Sequence, residues 1–177
     1  MNEVFGLPAH PLIVHAPVVL LPLALVGVIV ILIRPSWRPA LIFPTAAIGI
    51  IGAFGAILAA QSGEWLQQRV RETQTVSDHQ QLGEMARNLS ILFAGMLFLW
   101  ALRELVIERK WFAKTPLPKL FAPKWTATAI AILTLLIGGL TTAWVVQAGH
   151  SGAKAAWKGK LIPVRDTRPE SGENGGG

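Results

Sequence analysis

Residues 11–33 read PLIVHAPVVLLPLALVGVIVILI and carry no formal charge. A helix of about 20 apolar residues crosses the hydrocarbon core of a bilayer, so this run predicts a transmembrane span that ends before Arg34. Residues 1–9 contain no Lys or Arg, and because the basic region of a secretory signal is missing we expect this span to be retained. The composition also indicates a membrane protein, because 52% of the residues are hydrophobic and only 15% are charged, against about 25% charged in soluble domains.

Three further spans are predicted, at about residues 41–62, 80–107 and 126–147. The third is the least apolar, since its uncharged run covers only residues 89–102. This run is too short to cross the membrane alone, so the span must include the flanking residues. Short connections between four spans predict an all-α, integral membrane four-helix up-down bundle formed by residues 1–152. Residues 153–177 are expected to form a basic and then flexible tail, disordered over residues 167–177.

The positive charges predict the orientation of the bundle. The first span has no basic residue before it and Arg34 and Arg38 after it, and six more basic residues lie between positions 103 and 124 on the same side. The opposite side carries the same total of eight Lys and Arg, so the placement of the charges around the first span and between positions 103 and 124 decides. Basic loops face the cytoplasm, so we expect both termini outside. The net charge of +6 is then interpreted as attraction to lipid headgroups and not to nucleic acid.

The four histidines are the candidate site residues. In this topology His10, His15, His79 and His150 all lie on the outer side, and the chain has no Cys, which leaves His, carboxylate or Met for metal chemistry. A haem b in a helical bundle needs two imidazoles on facing helices. We predict ligation by His15, the deepest of the four, and His79, with His150 as the leading substitute and His10 as the fourth candidate.

Neighbouring residues fit the same hypothesis. Gly83 follows His79 by one helical turn and leaves room for a flat ring. Arg87 could hold a haem propionate, because a guanidinium matches a carboxylate well. Trp65 and Trp144 are available as apolar walls.

Two other interpretations stay open. Three or four histidines could gather on one Cu or Zn ion, or the protein could be a structural subunit of a membrane complex in which nothing is bound. A self-contained enzyme is not indicated, because the sequence offers no nucleophile with a base, no phosphate loop and no acid pair within the spans. An oligomer is possible.

Three motifs carry a resemblance to a known family. They are His10-Pro-Leu-Ile-Val-His15-Ala-Pro17, Asp78-His79 with Gly83, and Gly149-His150-Ser151-Gly152. In this order they resemble the motifs of a four-helix bacterial membrane family catalogued as domain of unknown function 2231, over about residues 5–157.

The resemblance implies haem or redox chemistry in the bacterial inner membrane. Members are similar in architecture to small membrane cytochromes b and occur alongside or fused to cytochrome c-type modules, which implies a cytochrome c-type or other redox partner. By motif match, the four histidines carry the site. The chain departs from the family after Gly152, where Ala153 and Lys154 replace a further Gly and an aliphatic-aromatic stretch.

Overall fold

Four long helices dominate the computed structural model, which describes residues 3–4, 7–71, 73–112 and 114–157. They are α2 (His15–Ile33), α3 (Arg38–Gln67), α4 (Gln74–Arg103) and α6 (Lys124–Trp157). Each is part of a helical segment long and apolar enough to cross a membrane. The predicted all-α four-helix fold is confirmed.

Short elements connect the long helices. Two-residue strands, β1 (Glu3–Val4) and β2 (Leu7–Pro8), pair antiparallel ahead of the short helix α1 (His10–Ile13). A 3-10 turn joins α2 to α3, at Pro35–Trp37. A π-helical turn, Glu104–Glu108, and the short helix α5 (Leu117–Phe121) lie between α4 and α6.

Two of the long helices reach further than the apolar runs that predict them. Helix α4 begins at Gln74 because Thr73 caps it, with the Val76 N–H donating to Thr73 Oγ1 at 3.3 Å; a side-chain acceptor at this position satisfies one of the unpaired amides of the first turn. Helix α6 continues to Trp157, so the first residues of the expected tail are helical. Residues 158–177, including the segment expected to be disordered, lie outside the described residues.

The helices close a ring in the order α2, α3, α4, α6, and α6 packs back on α2. Small residues let the helices approach closely, as is typical of packing in lipid. A Cβ at Gly49 would collide with Leu97, and one at Gly138 would lie 2.6 Å from Cε2 of the buried Phe93. The Thr141 hydroxyl of α6 lies 2.7 Å from the Ile137 carbonyl of its own helix and 3.1 Å from the Leu89 carbonyl of α4, so a polar contact also joins these two helices.

Large apolar side chains cover the outside of the bundle. Exposed examples come from all four long helices: Val19, Ile51, Phe54, Phe98 and Leu136. An apolar surface of this extent is unfavourable in water and favourable against lipid. The outer face is therefore the lipid-facing surface.

An ionic cluster closes the end of the bundle that lies away from the start of α4. Arg38 Nε lies 2.9 Å from Glu104 Oε2, and Glu108 Oε1 lies 3.4 Å from Arg38 Nη2 and 3.8 Å from Arg103 Nη1. Glu104 is 1% exposed and Arg103 is 7% exposed. A buried charge is tolerated only when it is paired, so these four residues depend on one another.

Two adjacent glycines of α6 are expected to respond to alanine in opposite directions. Gly138→Ala forces a methyl group against Phe93 and is expected to destabilise the protein by about 1–3 kcal/mol. Gly139→Ala meets no atom within 4 Å and is expected to stabilise the helix by up to about 1 kcal/mol. Unfolding titrations of both variants in detergent measure the difference, and equal effects would contradict the packing described for this helix.

Candidate functional site

Two histidines from different helices meet at one end of the bundle. His10 is the first residue of α1 and His79 lies in the second turn of α4. Their ring centroids are 6.0 Å apart and their planes make an angle of 73°. Both side chains are partly buried. We call these two residues the histidine pair.

His10 is held by the end of α3. Its Nδ1 donates to the Ala59 carbonyl oxygen at 2.9 Å, and Ser62 Oγ lies 3.4 Å from the same nitrogen. Ser62 Oγ itself donates to the Ala59 carbonyl at 3.0 Å. The ring lies against Gly63, where a Cβ would be 3.1 Å from His10 Cε1.

His79 is held by the end of α6 in the same way. Its Nδ1 lies 2.9 Å from Ser151 Oγ, and Ser151 Oγ donates to the Ala148 carbonyl at 2.8 Å. The ring lies against Gly152, where a Cβ would be 2.9 Å from His79 Cε1. Larger side chains at Gly63 or Gly152 would therefore displace the rings.

These hydrogen bonds fix the tautomer of both histidines. A carbonyl oxygen can only accept, so His10 carries its proton on Nδ1. The single hydroxyl proton of Ser151 is used on Ala148, so Ser151 accepts from His79, which also carries its proton on Nδ1. Each Nε2 keeps a lone pair, and within the described part of the chain neither Nε2 forms a hydrogen bond. This is the form in which imidazole binds a metal.

The other two histidines lie apart from the pair. His15, the first residue of α2, is exposed, and its Nδ1 donates to the carbonyl of Leu12 in the preceding helix α1 at 3.3 Å. His150 is exposed and lines a groove of about 450 Å³ between α4 and α6, together with Asp78, Ser151 and Lys154. Of the four predicted site residues, the structure brings together His10 and His79 and leaves His15 and His150 outside.

Gly83 and Arg87 lie further along α4 from His79. A Cβ at Gly83 would meet nothing within 4 Å, so the space beside it is open, as the sequence predicts. Arg87 Nη1 lies 4.0 Å from Oε1 of Glu64, the residue that follows Gly63. Arg87 therefore lies on the His10 side of the site, in a long ion pair that leaves other guanidinium donors available.

The two predicted walls differ in their environment. Trp65 lies under the guanidinium of Arg69, 3.8 Å from the ring centroid. Trp144 lies two helical turns from Ser151 on the same face of α6, and its buried Nε1 has no hydrogen-bond partner among the described residues. A buried donor without an acceptor is costly, so this indole is available to a bound molecule.

The sequence motifs include Ser151 and Gly152 but give them no role, and they do not include Ser62 and Gly63. The signal was present, because the pattern Ala-x-x-Ser-Gly occurs at residues 59–63 and again at residues 148–152. Both copies end a long helix, and each receives one histidine of the pair. Recognising the repeated pattern would have singled out His10 over His15.

The number of donors limits which metal the site can hold. Within the described ranges, no group of three or more His, Asp or Glu side chains lies close enough to bind one ion. Zinc sites use three or four protein ligands. The histidine pair supplies two.

Comparison with known proteins identifies one family. The profile of a family described as "Predicted membrane protein (DUF2231)" matches residues 6–163. No curated protein and no solved structure matches the chain.

Proposed function

The chain belongs to the DUF2231 family of predicted membrane proteins, and from its fold and its histidine pair we propose that it is a membrane-embedded haem b-binding electron-transfer protein. The ligands that we propose are His10 and His79. His10 replaces the His15 of the sequence-based hypothesis, because His15 is exposed and bonded to the nearby Leu12 carbonyl of α1.

The spacing of the histidine pair carries the proposal. Two imidazoles that bind one metal from opposite sides, at about 2 Å each, have ring centroids about 6 Å apart. The observed separation is 6.0 Å. Each ring can rotate about its bond to the metal, so two rings that bind one metal can have any angle between their planes. The observed angle of 73° is therefore compatible with both rings binding the same metal.

The donor count favours haem over a bare Zn ion. A haem brings four nitrogens of its own and would need two ligands from the protein, which is the number the pair supplies. A bare Zn ion would need at least one more protein donor. The open space beside Gly83 and the unpartnered indole N–H of Trp144 also fit a large flat group that carries polar substituents.

The residues of the proposed site would have different roles in holding the haem. Both imidazoles would bind through Nε2, because Ala59 and Ser151 accept from Nδ1. Arg87 Nε donates to Asn88, and Arg87 would hold a propionate through the remaining donors that its 4.0 Å ion pair leaves available. A haem held by both histidines would supply electron transfer.

We further propose that the protein lies in the bacterial inner membrane with both termini and the histidine pair outside. The distribution of basic residues supports this orientation, and the ionic cluster with its basic neighbours then faces the cytoplasm. A cytochrome c-type protein on the outer side is the proposed redox partner. Its support is the resemblance of the sequence motifs.

The orientation is testable because the chain has no Cys. Gln68→Cys and Ser36→Cys place single thiols at exposed positions on opposite ends of the bundle. We expect a membrane-impermeant maleimide to label Gln68→Cys in intact spheroplasts and to label Ser36→Cys only after lysis. The reverse pattern would place the histidine pair in the cytoplasm.

The proposed function is tested on the full-length protein purified in mild detergent from haem-sufficient cells. We expect a Soret band, a reduced α-band near that of other b-type haems, and close to one haem per chain by pyridine haemochrome assay. Metal analysis of the same sample serves as the control. Stoichiometric copper or zinc without haem would favour the metal-ion alternative, and neither haem nor metal would favour the structural subunit.

A further inference from the structure

The two halves of the site are built from the same residues at matching positions. His79 lies 69 positions after His10, and Ala148, Ser151 and Gly152 each lie 89 positions after Ala59, Ser62 and Gly63. In each half the serine donates to the alanine carbonyl, the histidine Nδ1 bonds to this alanine or serine, and the ring lies on the glycine.

The same offset relates the buried faces of α2 and α4. A shift of 69 positions takes every buried residue of α2 onto a buried residue of α4. The matched pairs are Pro17 with Ala86, Leu21 with Ser90, Ala24 with Phe93, Val28 with Leu97, and Ile31 with Trp100.

The second offset relates the buried faces of α3 and α6. A shift of 89 positions takes four of the ten buried residues of α3 onto buried residues of α6 and the other six onto partly buried ones. The buried matches are Thr45 with Thr134, Gly49 with Gly138, Gly52 with Thr141, and Ala56 with Val145. The offset is larger than in the first helices because the connection between α4 and α6 is longer and contains α5.

Contacts follow the same correspondence. A Cβ at Gly49 would touch Ala24, and one at Gly138 would touch Phe93, which is the counterpart of Ala24. Similar sequence, burial and contacts in an up-down bundle are the expected result of two parallel repeats related by an axis along the membrane normal.

We propose that the chain is a tandem duplication of a two-helix unit, with the histidine pair on its pseudo-two-fold axis, and that Ser62 and Ser151 are corresponding positioning residues. Each serine helps to keep the proton of its histidine on Nδ1 and so presents Nε2 toward the axis. The duplication stands without haem. Only the consequence for ligand binding rests on the proposed function.

The two serines differ in how much their histidine depends on them. Ser151 accepts from His79 at 2.9 Å, and the Ala148 backbone is a second hydrogen-bond partner of this histidine. His10 bonds directly to the Ala59 carbonyl at 2.9 Å, and Ser62 is a longer contact at 3.4 Å. Removing the Ser151 hydroxyl should therefore disturb its histidine more than removing the Ser62 hydroxyl.

The role of the serines is tested by long-range 1H–15N correlation spectra of histidine in the full-length protein without haem. We expect Ser151→Ala to convert His79 from the Nδ1–H tautomer to a mixture of both, and Ser62→Ala to change His10 less. Ser151→Thr restores the hydroxyl and should restore the tautomer. Ser90→Ala is the matched control, since Ser90 is also buried and donates to a carbonyl of its own helix at 2.6 Å but contacts no histidine.

Unchanged His79 signals in Ser151→Ala would overturn the positioning role. In haem titrations, Ser151→Ala is expected to bind about 10–100-fold more weakly than the wild type, as is typical when a residue that orients a ligand is lost. If the wild type binds no haem while the tautomer still depends on Ser151, the proposed function fails and the positioning role stands.

A circular permutant tests the duplication itself. Residues 68–73 join the first half to the second. If the halves are equivalent, a copy of this linker should also join position 156 to position 5. The new termini are then opened between Gln67 and Gln74. We expect this permutant to retain helical circular dichroism and a thermal midpoint within a few degrees of the wild type. A second permutant carries a linker twice as long. If only this second permutant folds, the halves are not related by the proposed axis.

Discussion

His10→Ala is expected to lower the haem content of the purified protein at least tenfold, and His79→Ala is expected to do the same. Each variant removes one of the two proposed ligands, and even the loss of a residue that only orients a ligand costs about 10–100-fold in affinity. The measurement is the ratio of Soret absorbance to protein, together with the pyridine haemochrome assay. Circular dichroism of each variant separates loss of the site from loss of the fold.

His15→Ala and His150→Ala are the matched controls for this experiment. Both side chains are exposed imidazoles near the same end of the bundle, and neither contacts the histidine pair. We expect both variants to keep the haem content of the wild type. Loss of haem in His15→Ala with retention in His10→Ala would restore the ligand pair expected from the sequence and contradict the one proposed from the structure.

Arg38→Ala is expected to produce the largest loss of stability among single substitutions at the opposite end. It leaves Glu104, which is 1% exposed, without its partner at 2.9 Å. Removing one member of a buried ion pair costs about 3–5 kcal/mol, because the remaining charge is left uncompensated in a medium of low polarity. Unfolding titrations in detergent measure this loss.

Arg34→Ala controls for the loss of a positive charge near the same interface. Arg34 is exposed, and no ion pair of its side chain is formed within the described residues. Exposed charges of this kind contribute little, so we expect a change within about 0.5 kcal/mol. Equal effects of the two variants would show that the ionic cluster does not stabilise the bundle.

The fold could be predicted from the sequence because crossing a membrane requires long uncharged runs, and such runs are visible residue by residue. The ends of the helices could not be predicted from hydropathy. Helix α4 begins at Gln74 because Thr73 caps it, and α6 extends to Trp157 beyond its apolar run. Polar first and last turns are stabilised by caps and by packing between helices, neither of which depends on apolar length.

The histidines could be named from the sequence but could not be paired from it. The buried face of α2 carries Pro17, Leu21 and Ala24. His15 precedes Pro17 by two residues, which is about 200° around a helix, so it faces away from the interior. Because α2 is apolar on every side, as helices in lipid are, the pattern of apolar residues did not reveal which side faces inward.

His10 was predicted only as the fourth candidate, for a different reason. It lies just before the uncharged run, where a histidine at the interface can simply be solvated. In the structure Pro11 lies in the first turn of the short helix α1, which packs on α3. That contact brings His10 to Ala59 and Gly63, and its cause is tertiary packing.

Low-temperature electron spin resonance of the oxidised full-length protein tests most directly whether both imidazoles bind one iron. We predict a single low-spin ferric signal that is lost in His10→Ala and in His79→Ala and is retained in His15→Ala and His150→Ala. A Cu(II) signal, or a low-spin haem signal that survives in a variant lacking both His10 and His79, would contradict the account.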